Sequence, residues 1–285
     1  MYSAWKNFKP YLLATPQTLI FLMFLVLPIA MIFIVSFWQF NGYAMTPAFS
    51  FENYASIFSS RVSLSTYLNT FKYVLLVWSI CLAIAFPIAY YLAFCIHRDS
   101  VRILLFLLCT IPFWTSNIIR MISWIPLLGR EGLVNQLLLA LGVVQQPVEW
   151  LLYSDFAIVL GMVHLFNFFM IAPVFNSMMR IDRTLITAAR DMGASGVDVL
   201  REIILPLSAP GIAIGSIFVV TLTMGEYVTV RLMGGGQSAS VGKLISTQIG
   251  SLQYPLAAAN AVILLLITLV LVTGILRVVD IRKEL

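Results

Sequence analysis

RIDRTLITAARDMGASGVDVLREIILPLS, residues 180–208, is the stretch on which the fold turns. It separates two long apolar runs and is far more charged than either. Asp182 is placed to cap a helix starting at Arg183, along which Leu185, Ile186, Ala189 and Met192 recur at helical spacing. Gly193 is placed to end that helix with φ > 0. Ser195 followed by Asp198 is a capping-box pattern, and Val199, Leu200, Ile203 and Ile204 continue an apolar face as far as Pro206, where the second helix is expected to stop. The pattern is a short amphipathic helix, a glycine elbow and a second helix leading into a membrane. Physical chemistry alone leaves two uses for such a hairpin: lying on the inner leaflet, or docking a partner.

Outward from this loop the chain reads as an all-α integral membrane protein. Of its 285 residues 61% are apolar and 10% charged, against roughly 45–50% and about 25% in soluble chains. Mean hydropathy is +0.97. These values exclude a soluble enzyme, a nucleic-acid binder and a disordered tail. Apolar runs near bilayer length predict six spanning helices, at 17–40, 67–96, 103–119, 155–179, 209–232 and 255–279. Lys6 and Lys9 precede the first run, which is too long for a signal-peptide core and lacks a small-residue cleavage site, so it reads as a retained anchor. Residues 120–154 are too polar to span; LVNQLLLALG after Gly132 predicts a short interfacial helix, with Trp124 and Trp150 at headgroup depth. Pro28, Pro87, Pro112 and Pro173 predict kinks, consistent with a bundle around a cavity or with proline tolerated in packed helices. Cys81, Cys95 and Cys109 lie in apolar runs and read as small packing residues.

The charges set an orientation. With both termini inside, the inner segments hold Lys6, Lys9, Arg98, Arg102, Arg180, Arg183, Arg190, Arg201, Arg277, Arg282 and Lys283, which leaves Arg61, Lys72, Arg120, Arg130, Arg231 and Lys243 outside or near it. This asymmetry favours a cytoplasmic amino terminus.

The loop's spelling resolves what its physics leaves open. Thr187-Ala188-Ala189, three residues, Gly193, nine residues and Ile203-x-Leu205-Pro206 resemble the EAA loop of permease subunits in type I, binding-protein-dependent ABC importers. IPFWTSNIIR at 111–120, AARDMGAS at 188–195 and LMGGG at 232–236 resemble the first permease subunit of bacterial spermidine/putrescine importers, and GEYV at 225–228 its putrescine version. The resemblance implies a type I importer permease fold of six helices in the bacterial inner membrane. It implies that Thr187, Ala188, Ala189, Gly193, Ile203, Leu205 and Pro206 belong to a coupling element gripped by a cytoplasmic ATPase. It also implies a second homologous permease, two ATPase copies that hold the ATP and Mg, and a periplasmic or lipid-anchored solute-binding protein. The family's leading Glu is Thr187 here, so no ion pair to the ATPase comes from that position. On this reading residues 1–66 hold the cytoplasmic amino terminus, first helix and outer loop, 67–279 the five-helix transporter domain, and 280–285 a cytoplasmic tail.

Ionisable groups at bilayer depth are functional candidates. Thr223, Glu226 and Tyr227 are expected on one helical face, where a carboxylate, a hydroxyl and a ring would hold an amine; a Glu paired only for helix assembly is the alternative. His164 with Asn167, and Asn117 with Arg120, share helix faces and either line a path or bind helices together. Trp114 stacks on a cation or joins the aromatic belt, Lys72 is expected to snorkel outward, and the glycines at 234–236 read as a flexible outer turn. Arg231 would repel a dication and suit a carboxylate or phosphonate, so a polyamine and an acidic or zwitterionic solute, such as an opine or amino-acid derivative, both stand. With no phosphate-cradling GxxxxGK[ST], HExxH or C-x-x-C pattern, the chain reads as non-catalytic, with no cofactor of its own and no nucleic-acid partner. An ion-driven secondary transporter using Glu226 is the rival from another class.

Overall fold

The structure, a computed structural model, describes residues 15–279. The retained-anchor reading of Lys6 and Lys9 and the tail at 280–285, with Arg282 and Lys283, fall outside the described residues. In chain order the helices are α1 (Thr15–Val35), α2 (Glu52–Ser59), α3 (Arg61–Cys95), α4 (Asp99–Thr110), α5 (Asn117–Leu128), α6 (Leu133–Ala140), α7 (Asp155–Met179), α8 (Arg183–Asp191), α9 (Gly196–Met224), α10 (Val228–Met233), α11 (Val241–Gly250) and α12 (Tyr254–Val278). Among the described residues five of these, α1, α3, α7 with its leading turn, α9 and α12, are long and apolar enough to cross a membrane; a sixth crossing exists if the bent pair Asp99–Trp114 and Asn117–Ala140 counts as one.

The described residues form two compact units, 15–64 with Leu244–Leu265, and Ser65–Lys243 with 266–279. In the first, α1 stops at Val35, five residues short of the predicted end, because the chain turns into a two-stranded ribbon, β1 (Gln39–Phe40) against β2 (Met45–Thr46). Ser36 Oγ donates back to Phe33 O, and Asn53 Nδ2 donates to the carbonyls of Ser36 and Trp38. The ribbon is the one sheet among the described residues.

The second unit is built on α7, whose Met162, Met170, Val174 and Met178 are fully enclosed. Its predicted limits, 155–179, are the observed ones, with Ser154 Oγ accepting from Ala157 N at its start. Helix α9 packs directly on α7 because two glycines four residues apart bring the backbones together: a Cβ on Gly211 would lie 2.5 Å from Pro173 O, and one on Gly215 2.7 Å from Met170 Sδ. Helix α3 is tied to α9 by Trp78 Nε1 donating to Ser216 Oγ at 2.8 Å.

Three expectations are corrected here. The third span is not one rod: Pro112 opens a tight turn over Ile111–Trp114, the chain is extended at Thr115, and α5 leaves at 90° to the preceding helix. Pro206 does not end a helix; α9 starts at Gly196, thirteen residues before the expected 209, and runs through it. A π-turn at Leu200–Ile204, with Leu205 N bonded to Leu200 O, precedes Pro206, and an equivalent turn, Leu22–Val26, precedes Pro28. Widening the helix just before the proline accommodates its ring and its missing donor. Finally, Cys95 is exposed at the end of α3, while Cys81 is buried as expected.

Candidate functional site

The loop between α7 and α9 is assembled from short-range interactions. Asp182 Oδ1 accepts from Thr184 N at 2.9 Å and opens α8. Gly193 ends it at φ +89°, where a side chain would be strained although no atom lies near a built Cβ. Ser195 and Asp198 then form the full capping box that opens α9. The apolar residues of α8 divide: Ile186 and Ala189 pack onto the core with Ala194, Leu200 and Ile203, whereas Leu185 and Met192 are 49% and 82% exposed, together with Val197 at 61%. Thr187 and Ala188 are exposed, as are Leu205 and Pro206. Thr187 Oγ1 donates to Arg183 O, so its hydroxyl turns back onto the helix.

Two arginines cover the carbonyl end of α3, and one of them, Arg183, seats this loop on it, a role that net charge does not reveal. Arg183 Nη2 donates to Ala93 O at 2.8 Å, and Arg102 donates to Leu92 O and Ile96 O while pairing with Asp99. Together they satisfy carbonyls left open where α3 ends. Arg102, counted in the sequence among orienting loop charges, is 9% exposed.

Within the second unit a cavity of about 280 Å³ opens between the middle of α7, the end of α3, the turn after α4, and α5. His164, Asn167 and Arg120 line it, with Cys109, Pro112 and Phe113. The structure thus brings the two predicted pairs to one place: Arg120 Nη2 donates to Asn117 Oδ1 at 2.5 Å, and His164 sits edge-on to Trp124, ring centroids 5.7 Å apart. Trp124 therefore packs against α7. Trp114 is 78% exposed beside this region and does not line the cavity.

Glu226 does not join that cavity. The expected shared helical face with Thr223 and Tyr227 is absent because α9 ends at Met224 and α10 begins at Val228. Glu226 lies in the break, and its Oε1 accepts from Thr229 N at 2.8 Å and Thr229 Oγ1 at 3.1 Å, capping α10. Thr223 is buried, Tyr227 is 42% exposed, and Arg231 lies exposed on α10. The residues following α10 are not a loose turn: Gly235, at φ +54°, lies so close to Tyr153 that a Cβ would approach its ring to 2.6 Å.

At the end of α7 opposite the loop, Asp155 is a hub that the sequence did not announce. Lys72 Nζ and Tyr73 Oη each donate to it at 2.5 Å, and Ser238 Oγ at 2.8 Å. Lys72, expected to snorkel outward, is instead held by this carboxylate.

A bundle of apolar helices with a capped, exposed elbow and a cavity that holds three polar side chains is placed by comparison: residues 85–283 match the family described as binding-protein-dependent transport system inner membrane component, and the chain belongs to that family of multi-pass inner membrane proteins. It is 32% identical over 232 residues, 81% of each chain, to the spermidine/putrescine transport system permease protein PotB of Escherichia coli. Its identity to the Haemophilus influenzae protein of that name is 31% over 243 residues, 84% of this chain and 83% of the relative. Its fold is similar to that of a chain in a bacterial alginate ABC transporter solved with an alginate pentasaccharide-bound periplasmic protein, with a TM-score of 0.72, 17% identity and 95% of each chain covered.

Proposed function

We propose that this chain is one of two related permeases in an ATP-driven, binding-protein-dependent importer of polyamines, with spermidine and putrescine as its substrates. The observation that carries this reading is the elbow at α8, Gly193 and α9, whose outer face presents Leu185, Met192 and Val197 while its inner face is seated on the bundle. An amphipathic, exposed, locally rigid helix of this kind suits a groove in a cytoplasmic ATPase, and the polyamine assignment is supported by the similarity to PotB. Thr187, Ala188, Gly193, Leu205 and Pro206 are assigned to the docking element, and Ala189 and Ile203 to seating it. Residues 67–279 form the transporter domain in this reading. Hydrolysis belongs to two ATPase copies, and a periplasmic or lipid-anchored protein delivers the solute.

Closure of the ATPases moves α8. Because Arg183 holds the carbonyl of Ala93, that movement is transmitted to the end of α3 as well as into α9, and the bundle alternates between inward- and outward-facing states. The complete complex in lipid tests the reading. ATPase activity should rise when the binding protein carries spermidine or putrescine; a rise only with an acid or a phosphonate rejects the polyamine assignment. Gly193→Val, which strains the elbow by about 1–2 kcal/mol, should leave basal hydrolysis while abolishing its link to uptake. Normal uptake in that variant rejects the lever.

A further inference from the structure

The cavity between α5 and α7 contains an unmet electrostatic demand. Arg120 lines it at 9% exposure, and among the described residues no carboxylate lies within ion-pair distance of its guanidinium. Its Nη2 has the neutral Asn117 amide as a partner, but its Nε has none. Asn167, also on the cavity wall, has a buried Oδ1 without a donor. The rest of the lining is an imidazole, a thiol and apolar groups, with no acid. A guanidinium withdrawn from water without a counter-charge is costly, and it prefers planar oxygen acids over other anions. The unpaired amide oxygen calls for a donor on the same ligand.

We propose that this cavity is a binding site for a small carboxylate bearing a neighbouring hydroxyl or ammonium group, the carboxylate on Arg120 and the donor toward Asn167. The volume of about 280 Å³ admits a molecule of this size. The inference does not depend on the polyamine assignment. A seated carboxylate cancels the charge that would otherwise repel a passing dication, and if the cargo is itself acidic the same groups receive it.

Cys109, half-buried on the cavity wall, supplies the readout. In the complete complex in nanodiscs, with Cys95→Ser removing the exposed thiol, the rate at which a small methanethiosulfonate modifies Cys109 is followed by the mass of its peptide. Lactate should slow this reaction saturably, at least threefold, while ethanolamine, a cation of similar size, should not. Arg120→Gln should raise the lactate concentration for half-protection at least about tenfold, the change expected on losing a charge-assisted hydrogen bond, and Arg120→Lys should show a smaller rise. No protection by lactate in the parent complex, equal protection by ethanolamine, or full protection in Arg120→Gln overturns the proposal. The parent measurement stands even if the Arg120 variants do not fold. Uptake of labelled lactate into proteoliposomes separates cargo from resident ligand: accumulation identifies cargo, protection without accumulation a resident, and both support the site. Polyamine-stimulated ATPase activity measured on the same preparation fails or holds independently of the cysteine result.

Discussion

The two ends of α7 are built by opposite means. At the loop end, Asp182 caps α8 through a residue two positions on, and Ser195 and Asp198 close a capping box across three. At the other end, Asp155 draws its three donors from 82 or 83 residues away, on α3 and after α10. Local bonds make a piece that keeps its shape when the helices around it shift. Long-range bonds make a clasp that exists only while those helices are assembled. The lever of the proposed mechanism needs the first property, and a joint between spans needs the second.

Breaking long-range packing should do the most damage. Gly211→Leu would drive a side chain into the Pro173 carbonyl and Ser177, backbone and neighbouring side chain that have nowhere to move. A loss of about 3 kcal/mol is expected, seen as a collapse of the monodisperse protein on size exclusion in detergent. Asp155→Ala comes next. It strands the Tyr73 hydroxyl, whose residue is 1% exposed, and releases a half-exposed Lys72. The ion pair itself contributes little at that exposure, so the expected cost, about 2 kcal/mol, comes mainly from the orphaned hydroxyl. A melting temperature unchanged from the parent would remove the clasp from the comparison.

The smallest effect belongs to the local end. The Thr184 backbone N–H, with a further hydrogen bond from that residue, holds the Asp182 carboxyl below the usual carboxylate range. A carboxyl depressed in the folded state stabilises fully above its unfolded pKa, about 4, and the contribution disappears as pH falls through the folded value. Amide exchange in the first turn of α8, corrected for intrinsic rate, should therefore quicken as pH drops below about 4, while α7 keeps its protection. Asp182→Asn should erase that pH step. Simultaneous loosening of α7 would mean that the two ends are not independent.

What could be read along the chain follows the same division. Both caps, the φ > 0 elbow, the limits of α7 and the short helix at Leu133–Ala140 were legible because each depends on residues within a turn or two of one another. Misreadings arose where a local rule met a tertiary option. Pro206 was expected to stop a helix, but a π-turn upstream absorbed it. Glu226 was placed on a continuous helix that in fact breaks at Gly225, and so its carboxylate caps α10 instead of sharing a face with Thr223 and Tyr227. The close approach of α9 to α7 had a visible signal in Gly211-x-x-x-Gly215 that the apolar reading passed over.

By itself the sequence determined that this chain crosses a membrane, where α8 and α9 begin by capping, and the shape of the charged elbow, because hydropathy, caps and glycine conformation are properties of neighbouring residues. Only the tertiary structure decided that Arg120, His164 and Asn167 share one cavity and that Lys72 meets Asp155. The physical reason is that a buried polar group takes whichever partner the packed helices bring within about 3 Å, and nothing in the order of residues along the chain specifies that distance.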